Sequence, residues 1–214
     1  NGNTWRGGTP LGMLTVTRGL AERIYIHDNW TTYIPAMGQG LRVDGTNAVV
    51  RDCLVVSNRA TVVDVGNLGA GAYVSDGGTL ENCTIADNFA NGGTNGGVYV
   101  ASSDVTIRNC IIVSNTVTDA GCPTKNISGA VADPLACITY SCAPELTTGE
   151  GNVTGDPGFQ KIDGFAYGFT PSSPCHNGGR GADWMLAAVD ILGNPRLLGR
   201  VDMGCFECQK ALGF

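Results

Sequence analysis

The sequence predicts an all-β solenoid, a right-handed parallel β-helix of about 4–6 coils finished by an irregular C-terminal capping segment. Three observations predict it. The first is internal repetition: Val49 to Asn58 (VVRDCLVVSN), Thr79 to Asn88 (TLENCTIADN) and Thr106 to Asn115 (TIRNCIIVSN) align without gaps, with Leu20 to Asn29 (LAERIYIHDN) a fainter fourth copy. The position held by Ile24, Cys53, Cys83 and Cys110 recurs after 29, 30 and 27 residues, and an Asn follows each by five. The second is period. Apolar residues within each copy alternate at two, the intervening residues favour strands, and Gly or Asn punctuates the chain about every 8–12 residues. Helical repeats of this length would instead show a 3.6-residue period. The third is composition: 32 of 214 residues are Gly and only 15% are charged, as expected where corners recur and most of each coil faces a neighbour.

The coils are expected over residues 1–145, with a Cys-containing insertion near 118–138, and the closing segment over 146–214, packed on the last coil. Along each coil, Val50, Leu80 and Ile107 should point inward, then Cys53, Cys83 and Cys110, then Val55, Ile85 and Ile112. Between them Asp52, Asn82 and Asn109 occupy a bend, where Asn and Asp adopt a left-handed backbone at least cost. Asn58, Asn88 and Asn115 form a structural column whose side chains can hydrogen-bond from coil to coil. One column outward, Glu22, Arg51, Glu81 and Arg108 alternate in sign and are expected to form a surface charge ladder that fixes register.

Nine Cys fit a secreted or cell-surface protein, and an odd number leaves at least one free thiol. The stacked Cys53, Cys83 and Cys110 read as small interior hydrophobes. The remaining cysteines lie in irregular sequence, where Cys122 with Cys137, and Cys175 with Cys205 or Cys208, are the expected disulfides.

From about Gly149 the alternation gives way to GNVTGDPGF, SPCHNGG, DILGNPR and VDMGCFE. With Tyr140-Ser141-Cys142, these stretches resemble the C-terminal part of secreted bacterial β-helix proteins of the choice-of-anchor Q type. The residues that carry the resemblance are Gly151-Asn152, Asp156-Pro157, Phe159, Ser173-Pro174-Cys175, Gly178, Asp190, Gly193-Asn194-Pro195-Arg196, Val201-Asp202-Met203-Gly204 and Glu207. The coils before it resemble pectate-lyase-like β-helices more generally. The resemblance implies a secreted or surface-attached bacterial protein, often near polysaccharide use or adhesion, and specifies no reaction. Phe159, Phe165, Trp184 and Phe206 are expected to anchor the closing segment, and Asp190, Arg196 and Asp202 to form a buried network within it. No cofactor is expected. Calcium on Asp156, Asp190 or Asp202 is the metal option that the oxygen ligands leave open.

The chemistry-bearing residues are few. A net charge of −6 argues against a nucleic-acid scaffold, and no apolar run reaches the length of a membrane span. There is no nucleophile elbow, P-loop or dinucleotide fingerprint. His27 falls in an outward column, and His176 has no nucleophile beside it in sequence, so no catalytic residue is assigned. The outward column of the first sheet reads Thr15, Arg42, Tyr73 and Tyr99, next to Asp44 and Ser75. Arg42, Asp44, Tyr73 and Tyr99 are the candidate glycan-binding residues, by ring stacking and hydrogen bonds. The expected function is therefore a non-enzymatic extracellular module. It would present a glycan- or partner-binding face or stack end to end with itself or with upstream coils, since no capping helix precedes the first coil. The alternative is the C-terminal part of a polysaccharide lyase or glycoside hydrolase, whose lyase base or paired carboxylates would lie partly upstream.

Overall fold

The computed structural model describes residues 4–5, 13–32, 37–61, 67–118, 126–197 and 199–208. Four short strands make one turn of a parallel solenoid, typified by Leu41–Asp44, Ala48–Arg51, Leu54–Val56 and Arg59–Ala60. Stacked turns build four parallel sheets of five, five, four and five strands in that order. The first sheet runs from Leu14–Val16 to Ile127–Gly129 and the second from Gly19–Glu22 to Ile138–Thr139. Part of the insertion expected near 118–138 is therefore another coil. Ile127 and Ile138 enter the interior columns below Val98 and Ile107, and inward isoleucines extend a sheet rather than leave it.

The register follows the repeats residue for residue. Val50, Leu80 and Ile107 pair coil to coil, as do Val55, Ile85 and Ile112, and all are fully buried. Cys53, Cys83 and Cys110 are buried free thiols in the same core, each bonding the carbonyl two residues back at 3.0–3.2 Å. At the bend, Asp52, Asn82 and Asn109 have φ of 51°, 48° and 53°, the left-handed backbone their short polar side chains tolerate.

A second column makes an amide ladder inside the solenoid. Nδ2 of Asn29 donates to Oδ1 of Asn58 (2.8 Å), Asn58 to Asn88 (2.9 Å), Asn88 to Asn115 (2.9 Å) and Asn115 to Asn126 (3.1 Å). Backbone N–H groups of Asn58, Asn88 and Asn115 donate to the same acceptors, so every rung fixes both backbone and side chain. The last rung, Asn126, donates to the carboxylate of Glu145 from both its backbone N–H and its side chain at 3.1 Å. A carboxylate suits that place because it accepts and has nothing to donate. Glycine makes room beside the ladder: a Cβ on Gly71 would lie 2.8 Å from Nδ2 of Asn88 and 2.6 Å from Ile85.

The closing segment seals the last coil through Ala143 and Leu146, which enter the interior, and through the bridge of Cys142 to Val153. Rather than ending there as a lid, the chain runs back along the flank of the solenoid and covers the outer face of the third sheet. Leu54, Val56, Ala86, Ile111 and Val113 point outward there and pack with Cys142, Phe169, Cys175, Met203, Cys205 and Phe206 in a second apolar core. The bend column is the seam. Asn82 Nδ2 donates to the Asp202 carbonyl, and Asn109 Nδ2 to the Arg180 carbonyl at 2.9 Å. In return, the backbone N–H of Arg180 donates to Asn109 Oδ1 at 2.8 Å. Gly204 (φ 82°) presses on the sheet so closely that a Cβ would sit 2.7 Å from Thr84 Oγ1 and Ile111 Cδ1.

Arg196 sits at the centre of this seam, fully buried. Its Nε lies 3.3 Å from Asp52 and its Nη1 3.6 Å from Glu207, approaches without a directed hydrogen bond. Nη2 instead donates to the carbonyls of Asp202 and Gly204. Burial pushes the Asp52 carboxyl up to about 7 and the Glu207 carboxyl up to about 8, with Arg196 holding both back from rising further. Asp190 and Asp202, considered above as calcium ligands with Asp156, spend their oxygens on protein donors. Asp190 accepts from Leu192, Asn194 and Glu207, and Asp202 from Asn177, His176 and Cys208. Asp156 accepts from Gly158.

The charge ladder is also changed by this cover. Glu81 is 2% exposed and paired with Arg51 at 2.6 Å and with Arg108, while Trp184 lies under the Arg51 guanidinium at 4.1 Å. It is a largely buried ion triad rather than a surface feature. Glu22 turns instead to its neighbour Arg23.

Candidate functional site

The outward residues of the first sheet are polar or aromatic, unlike those of the third; Arg42, Asp44 and Tyr73 are half-buried there, and Ser75 and Tyr99 are buried. Arg42 and Asp44 alternate with fully buried Leu41 and Val43 along one strand, and the next coil places Tyr73 beside Arg42 and Ser75 beside Asp44. Tyr99 follows Tyr73 one coil on. All four candidate residues therefore share one patch.

Their geometry sharpens what the patch can do. The Tyr73 and Tyr99 rings stack with centroids 5.6 Å apart and planes 12° apart, and the Arg42 guanidinium sits 4.9 Å from the Tyr73 centroid on the preceding coil. Tyr73 thus has its two faces occupied by Arg42 and Tyr99, and Tyr99 is 9% exposed. The expected sugar stacking on ring faces has little room, leaving hydrogen bonding as the chemistry of this patch. Arg42 donates to Asp44 Oδ2 through Nε (3.2 Å) and Nη2 (2.8 Å), and the Ser75 hydroxyl donates to Oδ1 at 2.9 Å. These bonds hold the Asp44 carboxyl below its usual range.

The corner beyond the strands adds three residues that the column reading omitted. The Asp44 carboxylate beside it pushes the Asp76 carboxyl upward. The backbone N–H of Asp76 donates to Ser102 Oγ (2.7 Å), which donates to Asp104 (2.6 Å) and lowers that carboxyl. The signal was present in GAYVSD and GVYVASSD, just past the strand ends. The result is a row of carboxylates and hydroxyls along three coils, with Arg42 already neutralised by Asp44.

Elsewhere the sequence candidates separate. Cys137, Cys175, Cys205 and Cys208 are free thiols, and Cys122 lies outside the described residues. The expected links of Cys175 to Cys205 or Cys208 are not formed: Cys205 packs on Thr84 and Cys208 beside Asp202 and Glu207. His27 stacks on Tyr25 at 3.9 Å and bonds Asp28, while His176 bonds Asp202 at 3.1 Å and Asn177. Neither imidazole bonds a hydroxyl or thiol nucleophile in these contacts. Among the described residues, no three His, Cys, Asp or Glu side chains converge to hold a metal ion. No helix there is long and apolar enough to cross a membrane.

Coil repeats, parallel in-register sheets and an interior amide ladder define the class as a β-solenoid. A model of the right-handed β-helix region family matches residues 2–129, more than half of the chain, and the protein belongs to that family. Neither a curated protein nor a solved structure matches it significantly.

Proposed function

We propose that the protein is an extracellular or cell-surface β-helix module that binds a neutral glycan, without turnover, on the outer face of its first sheet. The observation that carries this reading is the row Arg42, Asp44, Asp76, Ser102 and Asp104, prepositioned by coil register and mutual hydrogen bonds. Carboxylates and hydroxyls on a rigid scaffold accept from and donate to sugar hydroxyls without reorganising. Acidic polymers fit poorly, because the cation on this patch is spent on Asp44 and uronates would meet a carboxylate row. The Asp44 carboxylate is engaged by Arg42 and Ser75, which weighs against its serving as a free member of a glycosidase carboxyl pair. The resemblance of the closing segment to secreted choice-of-anchor Q type proteins supports the extracellular placement.

Affinity electrophoresis against neutral and uronate polysaccharides tests this reading. Retardation by a neutral polymer, lost in Asp44→Ala and Asp104→Ala, is expected. Absence of retardation by every neutral polymer refutes the binding face, and release of reducing ends or unsaturated products refutes the absence of turnover.

A further inference from the structure

One pair of thiols meets across the junction between the solenoid and its closing segment. Cys142 ends the last coil: it bridges to Ile111 on the coil below and to Val153 beyond, and its Sγ donates to the Gly155 carbonyl at 3.1 Å. Cys175 lies in the SPC turn. Its backbone N–H donates to Ser173 Oγ at 3.1 Å, and its carbonyl accepts from the Met203 N–H at 3.0 Å. Both cysteines are fully buried. Gly155, which accepts from Cys142, lies against Pro174, the neighbour of Cys175, where an added Cβ would meet the proline ring at 3.1 Å, and both thiols belong to the second apolar core. The backbone is thus fixed on either side of the contact.

We propose that Cys142 and Cys175 are the site of a disulfide that fastens the closing segment to the last coil, in place of the Cys175 pairings expected from sequence. This bond is independent of glycan binding, and either can fail without the other. The neighbouring Cys142 sulfur and burial push the Cys175 thiol far above its ordinary range, so the folded thiol pair is a poor nucleophile. The bond therefore forms while the closing segment is still docking. The oxidant is a disulfide of the glutathione or oxidoreductase class. The Cys142 thiolate attacks one sulfur of that disulfide and expels the other as a thiolate. The Cys175 thiolate then attacks Cys142 Sγ in the mixed disulfide and expels the second. Two electrons and two protons pass from the protein thiols to the oxidant, which leaves as two thiols.

The test is refolding of the reduced full chain in a glutathione redox buffer, followed by alkylation under denaturing conditions and non-reducing peptide mapping. A linked peptide pair containing Cys142 and Cys175 is expected. The linkage closes a loop of 32 intervening residues, and its reduction should lower the melting temperature by about 8 °C. Cys142→Ser should melt at the same temperature with and without reductant. Linkage of Cys175 to Cys205 or Cys208, or alkylation of both Cys142 and Cys175 after refolding, overturns the proposal.

Discussion

Replacing Asn88 by Ala removes the middle rung of the interior ladder and should be among the most damaging single changes in the solenoid. Asn88 Oδ1 accepts from the backbone N–H of Asn58 at 3.0 Å and from its side chain at 2.9 Å, while Nδ2 donates to Asn115 Oδ1 and to the Val55 carbonyl. Truncation leaves two buried donors of Asn58 facing a space lined by Ile85 and Gly71. At about 1–3 kcal/mol for each orphaned group, the loss is about 2–6 kcal/mol, a large part of the roughly 5–15 kcal/mol typical of a domain. Urea unfolding followed by far-ultraviolet circular dichroism reads it as a fall in midpoint at unchanged slope. Asn88→Asp separates ladder direction from side-chain size. Ionised, the carboxylate accepts from Asn58 but faces the acceptor of Asn115; protonated, it can donate there again. Its folded pKa is therefore raised, and its deficit relative to wild type should shrink as pH falls from about 7 to about 4. A loss under about 1 kcal/mol for Asn88→Ala, or an Asp variant whose deficit ignores pH, would refute the reasoning.

Other outcomes test the seam and the ends. Asp52 and Glu207 hold their protons more tightly folded than unfolded, so the stability they contribute is full below about pH 4 and is lost as pH rises through about 7 to 8. Urea midpoints taken from mildly acidic to mildly alkaline pH should fall, and Asp52→Asn should flatten the curve. Arg196→Met leaves the buried Asp52 and Glu207 carboxyls without their cation and should cost increasingly as pH rises through about 7 to 8, up to about 3–5 kcal/mol, with Trp184 fluorescence reporting release of the segment. Gly71→Ala drives a Cβ into Asn88 and Ile85 and should lower the urea midpoint, whereas Gly164→Ala, with open space around it, costs only its φ of 91°. Glu145→Gln keeps an acceptor for Asn126 and should be mild in the same assay, while Glu145→Lys sets donor against donor and should not.

The coils were legible because a parallel solenoid writes its register into the chain: residues that stack are the residues that repeat. That holds for Val50, Leu80 and Ile107, for the cysteine column, and for Arg42, Tyr73 and Tyr99 on the first sheet. Asn126 escaped because it joins the ladder off the repeat, 11 residues after Asn115, and Glu145 because, though 30 residues on, it is not an Asn and no matching strand sequence surrounds it. The flank covered by the closing segment also escaped, since irregular sequence has no period to align. Its sign was in plain view, however. The outward positions Leu54, Val56, Ile111 and Val113 are apolar on the third sheet, where the first sheet has Arg and Asp. At the candidate patch on the first sheet, residue identity placed the column, but only side-chain geometry shows that the rings face each other instead of solvent.

The amide ladder also makes lengthening of this protein one-sided. A duplicated coil inserted between Asn29 and Asn115 would bring a rung that both receives and passes on a donor, so the line would close around it. A coil grafted beyond Glu145 would meet a carboxylate with no N–H to offer. As far as the ladder is concerned internal coils are interchangeable, and Glu145 is its stop codon in hydrogen-bond form.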